Sequence, residues 1–169
     1  MQKIAKFQKV SETQFIQDWL DTFPGSTAAE AAQIYDQIQL PKRATLGSAG
    51  YDFFAPQSFS LNPGESLKIP TGIRVQIAAG WVLKCYPRSG LGFKYRLQFN
   101  NTVGIIDSDY YGSDNEGHIF AKLVNNGDKD VVVWAGDGFM QGIFMPHGIT
   151  YSDNADGVRN GGMGSTDKK

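Results

Sequence analysis

At 169 residues and 41% hydrophobic content the chain can bury a sizeable core yet is too short for two ordinary domains, so a single domain is expected. A formal net charge of -1 excludes a general nucleic-acid or membrane-surface binder working through a strongly basic face, so an anionic ligand must be met by local groups. The one cysteine, Cys85, excludes an internal disulfide, and no secretory leader or apolar run of about 18 residues is visible, which makes the cytoplasm the expected location.

Residues 3–10 predict a short first strand, after which the period lengthens. Phe15, Ile16, Trp19, Leu20 and Phe23 recur at helical spacing, and Ser11 with Gln14 has the form of a capping box. Pro24 and Gly25 end that helix. Ala28, Ala31, Ala32, Tyr35 and Ile38 make a second apolar stripe among strong helix formers, closed by Pro41, so residues 11–40 predict a helical hairpin. Beyond Pro41 the turns Asn62-Pro63-Gly64, Ala79-Gly80 and Asn125-Asn126-Gly127 mark off short strands at 66–70, 73–77, 81–86, 118–124, 130–134 and 141–145. Such spacing belongs to an all-β, antiparallel sandwich or barrel. Within NNTVGIIDSDYYG, residues 100–112, Val103, Ile105 and Ile106 predict a buried strand, while Asp107, Asp109, Tyr110, Tyr111 and Gly112 predict a tight turn at its end. From Asn154 the periodicity is lost. The chain therefore reads as one β domain over residues 1–158 and a flexible, glycine-rich tail over residues 159–169.

Five stations carry candidate chemistry, and each also has a plain structural reading. In GSAGYDFFAP, residues 47–56, Gly50 permits close backbone approach beside Asp52, or simply turns the chain into a strand. In YPRSGLG, residues 86–92, Arg88 can clamp phosphate oxygens bidentately, Ser89 can donate its hydroxyl, and Gly90 lets backbone N–H groups come close; a solvated Ser-Gly turn is the other reading. In residues 100–112, Asp107 is placed to take a proton from water, Asn101 can read the amide edge of a base, and Tyr110 can lie flat against a sugar; a hairpin turn also accounts for them. In GDGFMQGIFMP, residues 136–146, Gln141 is a lone polar residue in an apolar strand, either ligand-facing or turned outward. In the tail, Arg159 and the glycines, Ser165 and Thr166 around Met163 could wrap a phosphate chain, or form an ordinary disordered end.

Taken together and in this order, the five stations resemble the five motifs of the trimeric, all-β dUTP nucleotidohydrolases (dUTPases), from about Pro41 to the C-terminus. YPRSG, NTVGIIDSDYYG and GGMGST are the specific parts, and EGHIF after the insertion SDNEG looks like the form found in Gram-positive bacteria and their phages. The resemblance implies a distorted antiparallel β-barrel or jelly roll, a homotrimer with shared active sites, and hydrolysis of dUTP to dUMP and pyrophosphate with Mg²⁺ carried mainly by the triphosphate. It implies that Asp107 is the base that activates water for attack on the α-phosphorus. Asn101 with the backbone of Gly104, Ile105 and Ile106 would pair with uracil, and Tyr110 would lie under deoxyribose. Arg88, Ser89, Gly90 and Gln141 would hold phosphates and water, and Asp52 would support the metal region. Arg159, Met163, Gly164, Ser165 and Thr166 would close as a lid over a site built by neighbouring subunits.

Three positions depart from that pattern: Gly138 stands where a basic residue usually follows Gly-Asp, Met163 where a phenylalanine covers the base, and Asp167 where glycine is usual. His118 and His147 read as structural, since no His/Cys metal cluster surrounds them. The helical hairpin lies outside the family core, which leaves open a dUTP-sensing protein that grips a protein partner through residues 11–40. A deaminase acting on dCTP shares the fold, but the uracil-type hairpin NTVGIIDSDY speaks against it.

Overall fold

In the computed structural model, which describes residues 2–162, every strand pairing is antiparallel. β1 (Ala5–Lys9) pairs with β5 (Ile73–Ile77), and β3 (Phe59–Leu61) with β10 (Val131–Val133). β4 (Ser66–Pro70) and β7 (Leu97–Phe99) flank β9 (Phe120–Asn125), while β2 (Tyr51–Phe54), β11 (Gly138–Pro146), β6 (Trp81–Pro87) and β8 (Gly104–Ile106) form a four-stranded sheet in that order. This is the expected all-β body. The alternation of Ile73, Val75 and Ile77 with Arg74 and Gln76 places the first three in the core, as period-2 patterning requires.

The helical hairpin also forms, as α1 (Glu12–Thr22) and α2 (Ala28–Gln37). It is part of the core rather than a surface appendage: Phe15, Trp19 and Ala31 are fully buried beside Ile73, Leu123 and Phe139. The capping box expected at Ser11 and Gln14 is only half right. The Ser11 hydroxyl does accept from the Gln14 N–H at 3.1 Å, but the Ser11 N–H donates to Glu116, 105 residues away, and the Gln14 side chain turns to Asp18. The complete box is at the second helix, between Thr27 and Glu30.

Two further expectations need correction. The segment after Pro87 is not merely a turn: Ser89–Tyr95 forms a third helix, α3, closed by Arg96 in the left-handed region at φ 53. Nor is the strand at Gly104–Ile106 buried. Ile105 is 50% exposed and Val103 and Ile106 are only partly covered, because among the described residues β8 is the outer strand of its sheet, paired with β6 on one side.

Candidate functional site

The hairpin of residues 100–112 builds one wall of a cleft of about 300 Å³. At its tip, Thr102 adopts φ 71, a left-handed conformation that a β-branched residue resists, so the surrounding turn bonds must hold it there. Gly104 sits opposite Cys85 of β6, and a Cβ at Gly104 would lie 3.1 Å from the Cys85 Cβ, so glycine lets β8 lie close to its neighbour. Burial pushes the Cys85 thiol up to about 12, which leaves it no role as a nucleophile. As an edge strand, β8 keeps one row of backbone N–H and C=O groups unpaired by β6, and Gly104, Ile105 and Ile106 line the cleft.

Asp107 follows β8 directly and caps the 3-10 turn Ser108–Gly112. Its side chain is 46% exposed at the cleft rim, anchored by backbone on both sides. Tyr110, in that turn, is 6% exposed; its hydroxyl donates to the His118 carbonyl at 2.7 Å and accepts from Asn115 Nδ2 at 2.9 Å. Burial raises this hydroxyl above its ordinary 10.0, so it remains a neutral hydrogen-bonding group. The ring is thereby fixed as a cleft wall.

Residues 159–162 lie across this same cleft. The Arg159 guanidinium forks onto two carboxylates, Nη2 to Asp107 Oδ2 at 2.6 Å and Nε to Asp109 Oδ1 at 2.8 Å, and Gly162 rests on the Tyr110 ring so closely that a Cβ there would come 2.6 Å from Cε2. Both carboxylates are half-exposed, so solvent screens the pairs and an anionic ligand can compete for the guanidinium. Met163, Gly164, Ser165 and Thr166 lie outside the described residues.

The remaining candidates gather elsewhere. Asp52, Gln141 and Tyr86 lie side by side across β2, β11 and β6, and Arg88 at the end of β6 turns back to Asp52 at 3.4 Å. Gln141 packs against Gly50, where a Cβ would meet its Oε1 at 2.6 Å, and its Nε2 reaches the Pro87 carbonyl at 3.4 Å. Gly138, the position lacking the usual basic residue, makes room for Arg88: a Cβ there would stand 2.7 Å from Arg88 Nη1. Arg88, Ser89, Gly90, Lys94 and Gly138 line a shallow depression that shares no residue with the first cleft.

Register shows how far apart the two groups are. Ile106 faces Leu83, so Asp107 continues the ladder opposite Val82, whereas Arg88 lies beyond Pro87 at the other end of the strand. At about 3.3 Å per residue, Val82 to Arg88 spans roughly 20 Å. A single chain therefore brings Asn101, Gly104, Ile105, Ile106, Asp107, Tyr110 and Arg159 together, and separately Asp52, Arg88, Ser89, Gly90 and Gln141.

Phe99, Asn100, Phe120 and Lys122 line the first cleft without having been named as candidates. Phe120 and Lys122 could have been found, because they alternate with the buried Ala121 and Leu123 and so face away from the core. Phe99 lies in a three-residue strand, too short for its alternation to stand out from the surrounding sequence. No group of three or more His, Cys, Asp or Glu placed to hold a metal exists among the described residues, and no helix among them is long and apolar enough to cross a membrane.

Comparison with known proteins gives a consistent result. A family model described as dUTPase matches residues 36–166. A deoxyuridine 5'-triphosphate nucleotidohydrolase of Lactococcus lactis subsp. lactis (strain IL1403) is 45% identical over 132 residues, covering 76% of this chain and 88% of that protein. The crystal structure of dUTPase from Streptococcus mutans is 40% identical, covers 68% of this chain and 90% of its own, and superposes with a TM-score of 0.60. The dUTPase from phage phi11 of S. aureus, at 18% identity, covers 92% of this chain and 98% of its own with a TM-score of 0.64, a likeness of fold.

Proposed function

Because this chain belongs to the dUTPase family, we propose that it hydrolyses dUTP to dUMP and pyrophosphate, with the cleft of residues 100–112 as the nucleoside site. The observation that carries this reading is the placement of Asp107 at the rim of a cleft whose walls are an edge strand and a fixed tyrosine ring. The edge of β8 offers backbone donors and acceptors to the carbonyl and N–H groups of uracil, and Asn101 adds both an amide donor and an acceptor. Cytosine presents an amino donor where uracil has a carbonyl, so a donating site rejects it. Tyr110 lies under deoxyribose and leaves no space for a 2′-hydroxyl.

Asp107 takes a proton from water as that water attacks the α-phosphorus, and pyrophosphate leaves. Before this step Asp107 must be freed from Arg159, and the phosphates are the natural competitors for that guanidinium. Arg159 then neutralises charge on the phosphates, and residues 159–169, including Met163, Gly164, Ser165 and Thr166, act as a lid. Arg88, Ser89, Gly90 and Gln141 hold the phosphates and the attacking water. Ser89 and Gly90 sit in the first turn of α3, where backbone N–H groups have no intrahelical acceptor.

The separation of roughly 20 Å along β6 supports a shared site, since Asp107 and Arg88 of one chain stand too far apart to serve the same phosphate chain. A homotrimer, in which one copy supplies the cleft and another the Arg88 cluster, reconciles both. Mg²⁺ fits this donor set, since a hard cation that keeps phosphate and water ligands needs no protein cage, and Asp52, which pairs with Arg88, is the carboxylate that would support its water shell. Bound to the triphosphate, it would supply charge neutralisation for the leaving pyrophosphate.

The test is pyrophosphate release from dUTP with Mg²⁺. Asp107→Asn is expected to keep the assembly and lower turnover by roughly 10²–10⁴-fold, the range for losing a general base. Near-normal turnover in that variant overturns the assignment of the base. Tight dUTP binding by the unaltered protein without turnover overturns the hydrolase reading and marks a binding protein instead.

A further inference from the structure

The cleft is held partly by the helical hairpin, most of which precedes the residues matched by the family model. Asp18, on α1, places Oδ2 2.6 Å from His118 Nδ1, and the His118 ring is fully buried. The other ring nitrogen, Nε2, accepts the Gly72 backbone N–H at 2.8 Å. Only one neutral tautomer satisfies both contacts, with the proton on Nδ1 and Asp18 as its acceptor. The carbonyl of the same His118 receives the Tyr110 hydroxyl at 2.7 Å. Between them the loop is packed without slack, because Gly117 at φ 71 has no room for a Cβ against the Tyr110 carbonyl.

We propose that Asp18 is a positioning residue for the sugar subsite: through His118 it sets where the Tyr110 ring stands, so the helical hairpin tunes discrimination between deoxyribose and ribose. This rests on the proposed nucleoside site and on Tyr110 lying under the sugar. A second link runs in parallel. The Ser11 N–H and hydroxyl both bond Glu116, Glu116 pairs with Arg74 at 3.7 Å, and Arg74 donates to the Tyr111 carbonyl while lying over its ring. The turn that bears Tyr110 is thus tied to α1 at both ends of the Glu116–His118 segment. Removing the Asp18 carboxylate leaves a fully buried N–H without its acceptor, and the ring can recover hydration only by moving, which shifts the carbonyl that holds Tyr110.

The experiment compares binding of dUMP and UMP by calorimetry, which reads the sugar subsite without needing turnover. Asp18→Ala is expected to shrink the preference for dUMP by roughly ten-fold, an appreciable part of what a pocket gains by rejecting one hydroxyl. Asp18→Asn, whose amide oxygen can still accept from Nδ1, is expected to restore it. Tyr110→Phe keeps the ring but cuts the tether at its far end; it should lose the preference similarly, and it serves if Asp18→Ala does not fold. An unchanged dUMP:UMP ratio in Asp18→Ala or Tyr110→Phe, or equal loss in Asp18→Ala and Asp18→Asn, overturns the inference while leaving dUTP hydrolysis standing. An unaltered protein that binds dUMP and UMP alike overturns the inference and the sugar role of Tyr110 together.

Discussion

Replacing Gly117 with alanine should damage the site more than the same change at Gly64, although both glycines adopt left-handed backbone, at φ 71 and φ 83. That conformation costs a residue with a side chain ~1–2 kcal/mol, offset by ~0.4–1 kcal/mol because alanine also restricts the unfolded chain. At Gly64 nothing among the described residues lies within 4 Å of the added Cβ, so Gly64→Ala is expected to cost only about 1 kcal/mol. At Gly117 the Cβ would stand 2.7 Å from both the Tyr110 carbonyl oxygen and the Tyr111 Cα. These are backbone atoms of the turn after Asp107, so relief requires the turn itself to move, and forcing atoms into a packed site adds ~1–3 kcal/mol. The total for Gly117→Ala is about 2–4 kcal/mol, and the ~2 kcal/mol difference between the variants should separate their melting temperatures by roughly 4–8 °C. Thermal melts at equal protein concentration give the comparison, with dUTP hydrolysis measured well below both transitions. Gly117→Ala should also be the less active, because its clash falls on the backbone that carries Tyr110. Coincident melting temperatures would refute the close packing on which this reasoning depends.

Mixing two inactive variants tests the shared site. Arg88→Ala and Asp107→Asn should each be nearly inactive alone, yet if each site of the proposed trimer draws the two residues from different copies, random mixing should recover about a quarter of the unaltered rate; failure to recover any activity would place both residues in one chain's site. Glu116 gives a pH dependence. Burial raises its pKa, but the Ser11 hydroxyl and N–H together with Arg74 outweigh that and hold it below the ordinary 4.5. A carboxyl lowered on folding stabilises the fold above its unfolded value and loses that contribution as pH falls through its folded value. The melting-temperature gap between the unaltered protein and Glu116→Gln should therefore be widest near neutrality and close progressively below pH 4.5; a gap that persists in acid would dissociate Glu116 from the stability of the α1 end.

Much of the fold was legible because it is locally encoded. Ser66–Pro70 and Ile73–Ile77 could be read to the residue, as alternating patterns separated by a glycine turn. The two helices were legible from their apolar spacing, and Asp107 with Tyr110 from a hydrophobic strand running into an acidic, aromatic turn. The seven-residue helix after Arg88 was not, since Ser-Gly-Leu-Gly carries strong turn signals, and the helix is closed by a non-glycine residue in the left-handed region. Ile105 misled for another reason. An apolar residue in a strand reads as buried wherever the strand lies, and only sheet order shows that β8 has a free edge.

The sequence by itself determined most element types, the chemical character of each station and the family to which their order points, because these depend on neighbours a few residues apart. Tertiary structure alone decided what those stations can reach. It put Arg88 and Asp107 at opposite ends of one strand ladder, since register is set by pairing across the sheet. It supplied Ser11 with a capping partner 105 residues away. It also made the helical hairpin part of the site's support, because a buried imidazole needs two partners and among the described residues the acceptor for its proton, Asp18, comes from α1.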